Sequence, residues 1–236
     1  MGRPRVIGGI TLGEGRPRIV AAGGEHELAA LAGADMADLV EARVDLFDDP
    51  QPDTLPATLG RLRSAGRPLI VTVRAASEGG WPLPEERRRD LYAAGLAVAD
   101  AIDVEIASTE LAAALVPAAR RAGRTVILST HDFETMPPRT EILARVARAF
   151  DAGADVAKVA AHAASLAALR VLIDVTRGVS PSPIATLAMG PMGPLSRLVL
   201  PAAGSLLTYA AAGAPTAPGQ LPLDELAALF DRLLPR

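Results

Sequence analysis

The chain has no cysteine among its 236 residues. That excludes a disulfide framework and any metal site built on thiolates. Histidine is also scarce: His26, His131 and His162 are far apart. Without paired ligand spacing among them, no metal centre is expected. Basic residues number 24 against 27 acidic ones. They form no stripe, which argues against nucleic acid as a partner. No Gly-x-Gly-x-x-Gly or Walker-type loop follows a strand pattern, so nucleotide-binding folds lose weight. The opening Met1-Gly2-Arg3-Pro4 lacks an apolar run of signal-peptide type. The longest uncharged stretch, residues 198–223, is broken by Pro201, Gly204, Gly213, Pro215, Pro218, Gly219 and Pro222. Such punctuation fits a buried strand between loops rather than a membrane span. Together these absences lead us to expect a soluble cytoplasmic protein that touches neither membrane nor nucleic acid.

The scarcity that matters most is of lysine. Lys158 is the sole lysine, and every other basic side chain is arginine or histidine. It lies in Asp-Val-Ala-Lys-Val-Ala-Ala-His, whose residues 156–161 read as a short apolar strand buried on both faces, as in a parallel sheet. Burial disfavours the charged form of lysine and leaves a nucleophilic amine, a state arginine does not reach. A lysine that snorkels to the strand end and pairs with a carboxylate is the plainer alternative.

Half of the residues are hydrophobic, enough for one sizeable core, and we expect a single domain over residues 1–236. Residues 3–11 and 16–21 read as short strands around a Gly13-Glu14-Gly15 turn. Strand patterns then recur at 38–45, 68–74, 101–106, 125–130, 156–161, 183–189 and 205–211. Helical patterns separate them and close the chain at 223–234. Eight strand–helix units with short links predict a parallel (β/α)₈ barrel, with the extra N-terminal hairpin closing its bottom. A doubly wound open sheet is the alternative.

The polar residues fall at or beyond strand C-terminal ends. Glu41, Arg43 and Asp45 share one side of their strand at period two. Arg74 ends the third strand, His131 the fifth, and Lys158 lies late in the sixth. In a barrel these ends share one mouth. Neighbouring strands are about 5 Å apart, so His131 and Lys158 are within reach of one ligand. His162 is a weaker candidate, and His26 reads as surface. Arg197, after the Gly190-Pro-Met-Gly-Pro loop, suits a bidentate carboxylate clamp. Glu78, in Glu-Gly-Gly, is either a solvated loop charge or a group that reaches in to orient His131. Ala217-Pro-Gly-Gln220 suits a lid, with Gln220 offering a donor and an acceptor.

In combination these motifs resemble type I 3-dehydroquinate dehydratase, the Schiff-base enzyme of the shikimate pathway. They are Glu41-x-Arg-x-Asp45, Arg74 with Glu78-Gly-Gly, Ser129-x-His-Asp-Phe133, Lys158, Ser196-Arg197, Gly204-Ser205 and Ala217-Pro-Gly-Gln220. Two positions depart from the pattern, Thr216 and Ala22, where the resemblance implies serine. It further implies conversion of 3-dehydroquinate to 3-dehydroshikimate, with Lys158 as imine former and His131 as acid and base. Glu78 would orient His131, and Arg197 would hold the substrate carboxylate. Glu41, Arg43, Arg74 and Gln220 would read ring hydroxyls, with help from Thr216. The implied protein is a homodimer that needs no cofactor or metal. A class I aldolase and a non-catalytic ligand-sensing relative remain open alternatives.

Overall fold

The computed structural model describes residues 6–179 and 182–234. The predicted strand at 3–11 therefore lies partly outside the described residues. The rest of it is a hairpin, β1 (Val6–Ile7) against β2 (Ile10–Thr11). Its turn is Gly8-Gly9, not the Gly13-Glu14-Gly15 segment expected from sequence. Gly8 and Gly9 have φ of 55° and 91°, and a two-residue type I′ loop needs positive φ at both positions.

Strands and helices then alternate. β3 (Arg18–Gly23) is followed by α1 (Leu28–Ala32), β4 (Leu39–Arg43) by α2 (Leu55–Ser64), and β5 (Leu69–Thr72) by α3 (Glu85–Gly95). β6 (Ala101–Glu105) leads to α4 (Thr109–Arg121), β7 (Thr125–Asp132) to α5 (Arg139–Asp151), and β8 (Val156–His162) to α6 (Leu166–Gly178). β9 (Ile184–Met189), α7 (Gly193–Ala203), β10 (Leu207–Ala211), a two-residue β11 (Leu221–Pro222) and α8 (Leu223–Leu233) finish the chain. All strands after the hairpin pair in parallel, in the order β11-β10-β3-β4-β5-β6-β7-β8-β9. Period-two alternation sends one set of strand side chains outward, against helices, and the other into the barrel.

The inward set is layered. The lowest layer is apolar and includes Leu39, Ile70, Ala101, Ile127, Val156, Ala185 and Leu207, packed with Ile7 and Leu12 of the hairpin segment. The hairpin thus plugs the bottom, and Thr125 donates its hydroxyl to the Val6 carbonyl at 2.6 Å. One pleat higher the interior turns polar, with Glu41, Thr72, Asp103, Ser129 and Lys158, all buried.

The seam of the barrel lies between β9 and β10, which are neighbours without a regular ladder. Side chains and single bonds join them instead. Leu206 N–H donates to the Ile184 carbonyl (2.9 Å), and Thr186 N–H to the Ser205 hydroxyl (2.9 Å). Higher up, Arg197 spans the gap with Nη1 on the Ala188 carbonyl (2.8 Å) and Nε on the Tyr209 carbonyl (3.1 Å). Above that, β11 pairs with β10.

Candidate active site

Glu41, Arg43, Arg74, Glu78, His131, Lys158, Arg197, Thr216 and Gln220 all line one cavity of about 470 Å³ at the C-terminal mouth of the strands. Phe133, Leu187, Met189 and Tyr209 supply apolar wall. His162 does not line it and packs on Gly190 instead; His26 is exposed in a short 3₁₀ turn.

The surroundings of Lys158 combine the two sequence readings, burial and a carboxylate partner. The outward face of β8 is apolar, but the lysine points inward to a polar layer. Its Nζ is 2.7 Å from Asp103 Oδ2, 3.7 Å from Glu41 Oε1 and 4.0 Å from the centre of the Tyr209 ring. The amine is therefore carboxylate-paired, not alone among hydrocarbons. Thr72 donates to Glu41 (2.7 Å), and Ser129 to Asp103 (2.5 Å). Burial pushes the Asp103 carboxyl up, but Arg74 and Lys158 more than reverse this and hold it well below the usual carboxylate range.

Arg74 is equally committed. Nη1 donates to Glu105 (2.8 Å) and Ser129 (2.8 Å), and Nη2 lies 3.2 Å from Asp103. Burial opposes its charge, yet Asp103, Glu105 and Glu41 hold the guanidinium pKa well above its ordinary value. Arg43 grips Asp45 with Nε (2.9 Å) and Nη2 (2.7 Å), and reaches the Thr216 carbonyl at 3.4 Å with Nη1. Two arginines expected to read a ligand thus spend most of their donors on the protein. Sequence reasoning passed over Asp103, Glu105 and Tyr209, and gave Ser129 no role beyond its motif. Asp103 and Glu105 carry the same period-two signal that singled out Glu41 and Arg43.

His131 is held through one carboxylate oxygen. Glu78 Oε2 accepts the His131 backbone N–H (2.8 Å) and lies 2.9 Å from ring Nδ1. This contact assigns the proton to Nδ1 and leaves Nε2 as a free base. Burial, with Arg74 and Lys158 nearby, pushes the imidazole pKa well below its usual range. The glycines after Glu78 set its loop. Gly79 has φ of 83° beneath the Phe133 ring, and a Cβ on Gly80 would lie 2.1 Å from the Arg74 carbonyl oxygen.

Burial pushes the Glu78 carboxyl up to about 7, against the pull of Arg74. The folded pKa is above the unfolded value of 4.5, so the folded state holds this proton more tightly. That contribution is complete below 4.5 and is lost as pH rises through about 7, a change of about 3 kcal/mol. Glu78→Gln carries no such proton. Its stability relative to wild type should therefore rise by most of that amount between pH 5 and pH 8. Urea unfolding at both pH values measures it, and a pH-independent difference would refute the shift.

Arg197 is the exception among the cations. It is 2% exposed and has no carboxylate partner among the described residues. Nε and Nη1 serve backbone carbonyls of the seam. Nη2 is the one guanidinium nitrogen with no hydrogen-bond partner among the described residues. Burial alone pushes its pKa down to about 10. The lid segment is folded over the mouth: Gln220 Oε1 accepts Thr216 N–H (2.7 Å), Thr216 Oγ1 (3.1 Å) and Ala217 N–H (3.3 Å). Its acceptor is thus used within the lid, and the amide Nε2 remains for a ligand. No group of three His, Cys, Asp or Glu among the described residues is arranged to hold a metal ion. Nor is any described helix long and apolar enough to cross a membrane.

The sequence model of the type I 3-dehydroquinase family matches residues 20–233. The chain is 38% identical over 207 residues to 3-dehydroquinate dehydratase of Methanosarcina acetivorans, covering 84% of this chain and 86% of that one. It is 34% identical over 245 aligned positions to the Listeria monocytogenes enzyme of the same name, covering 97% of each. Among solved structures, type I 3-dehydroquinate dehydratase from Clostridium difficile, crystallised with covalently modified comenic acid, superposes with a TM-score of 0.88 at 31% identity. That match covers 99% of this chain and 98% of the other. The 3-dehydroquinate dehydratase of Geobacillus kaustophilus gives 0.86 at 29%, covering 97% of this chain and 95% of that one. By sequence over nearly its full length, and by fold, the chain belongs to the type I 3-dehydroquinase family.

Proposed function

We propose that the protein dehydrates 3-dehydroquinate to 3-dehydroshikimate through an imine on Lys158, as a step of the shikimate pathway. The observation that carries this reading is Arg197. A buried guanidinium without a carboxylate partner is costly unless an anion joins it. The ligand is therefore anionic, and it lies in the same cavity as the sole lysine. A cyclic keto acid offers its carboxylate to Arg197 Nη2 and its ketone carbon to Nζ of Lys158.

The steps follow from the groups present. The Lys158 ammonium loses a proton to solvent, the freed amine adds to the ketone carbon, and a proton returns to the carbinol hydroxyl, which leaves as water and gives an iminium. That cation withdraws electrons from the adjacent C–H bond. Nε2 of His131 takes the proton, then returns it to the hydroxyl that departs as water. Water hydrolyses the product iminium, restores Lys158 and releases the conjugated enone. One water is lost overall. Glu78 fixes the tautomer of His131, Asp103 and Glu41 hold the amine, and Gln220 with Thr216 covers the mouth. The same resemblance implies a cytoplasmic homodimer; a monomer mass at micromolar concentration would count against the dimer.

Incubation with 3-dehydroquinate should develop the enone absorbance of the product, and a flat trace at high enzyme concentration would reject the reading. The lid gives a second test. A Cβ on Gly193 would lie 2.7 Å from Gly219 Cα and 2.9 Å from its carbonyl oxygen. Overpacking there costs about 1–3 kcal/mol. Gly193→Ala should thus raise KM about 5-fold or more, with little change in melting temperature. An unchanged KM would detach the lid from binding.

A further inference from the structure

Tyr209 takes no part in the steps above. It sits on the inner face of β10, is 3% exposed, lines the cavity, and stacks its ring 4.0 Å from the Lys158 amine. Among the described residues no group hydrogen-bonds its buried hydroxyl. The contrast with Tyr92, the other tyrosine, is direct. Tyr92 donates to the Asp103 carbonyl (2.5 Å) and accepts from Val73 N–H (3.0 Å). Buried hydroxyls are normally paired, because an unpaired one forfeits its bonds to water.

The neighbours explain why no protein group serves it. Thr72 and Ser129 donate to carboxylates, and Arg74 is occupied by Asp103, Glu105 and Ser129. Burial, then Glu41 and Asp103, push the Tyr209 pKa well up, so the hydroxyl keeps its proton and can donate. Its ring is pinned against the Lys158 amine, an attraction between a cation and an aromatic face. The ring is thus held beside the nitrogen that would carry the substrate, and no described group bonds its hydroxyl.

We propose that the Tyr209 hydroxyl is a substrate-binding group, donating a hydrogen bond to an oxygen of the ligand held at Lys158. This rests on the keto-acid reading above and adds to it a contact whose partner is a hydroxyl or carboxylate oxygen of the ring. No described protein group competes for that hydrogen bond.

Tyr209→Phe removes that oxygen and keeps the ring. We expect KM for 3-dehydroquinate to rise about 3- to 10-fold, the value of one neutral hydrogen bond, with kcat within about twofold. The free variant should melt about 2 °C or more above wild type, since a buried unpaired hydroxyl has been deleted. A structural role predicts the opposite sign for melting, so the two readouts together separate the cases. An unchanged KM, a lower melting temperature, or a phenylalanine variant that fails to fold overturns the proposal. In each of those cases an active wild type leaves the dehydratase reading standing. A wild type without activity on 3-dehydroquinate removes both.

Discussion

His131→Ala will turn over 3-dehydroquinate on the order of 10² to 10⁴ times more slowly than wild type, while the imine at Lys158 still forms. The expectation follows from the tautomer. Glu78 takes the Nδ1 proton at 2.9 Å and the backbone N–H at 2.8 Å, so Nε2 is the only basic nitrogen the ring offers. Burial beside Arg74 and Lys158 keeps that ring neutral well below its usual pKa. A base must be unprotonated to act, so protonation of His131 itself should lower kcat/KM only below pH 6.5. Alanine removes the base but leaves Lys158, Asp103 and Arg197 in place. The variant should therefore accumulate adduct, visible by mass after borohydride treatment. Turnover within a few-fold of wild type would make His131 structural and remove it from the mechanism.

Much of this site is legible in the sequence because barrel geometry converts strand position into place. Glu41, Arg74, His131 and Lys158 are far apart in the chain, yet each sits at or near the end of an apolar strand, and the strand ends share one mouth. The same rule reaches Asp103 and Glu105, two positions apart on β6; reading residues 101–106 merely as a strand left their pairing with Lys158 and Arg74 unseen. Other features depend on contacts no local pattern encodes. Arg197 stands alone among uncharged residues, which suggests a ligand clamp. That two of its nitrogens hold β9 to β10 follows only from how the barrel closes. Tyr209 reads as one more apolar strand residue until its hydroxyl is found without a partner. Both Gly8-Gly9 and Gly13-Glu14-Gly15 signal turns. Only the pairing of Ile7 with Ile10 decides which one makes the hairpin.

Replacing Lys158 with arginine should be as damaging as replacing it with alanine, although arginine keeps the charge. The amine lies 2.7 Å from Asp103 and 3.7 Å from Glu41, so a purely electrostatic role would tolerate another cation there. A covalent role would not. The guanidinium stays protonated and is a poor nucleophile, and only a primary amine gives an iminium that draws electrons from the neighbouring carbon. Both variants should lose turnover by on the order of 10⁴ or more, the range for removal of a covalent nucleophile. In the wild type, borohydride with 3-dehydroquinate should inactivate the enzyme and add the mass of one reduced adduct. Lys158 is the only lysine, so the adduct lies there or at the N-terminal amine, and a peptide digest separates the two. An active enzyme that traps nothing, or traps only at Met1, would defeat the imine. A Lys158→Arg variant that keeps a substantial fraction of wild-type turnover would do the same by another route, because it would leave charge, not carbon–nitrogen bonding, as what the lysine contributes.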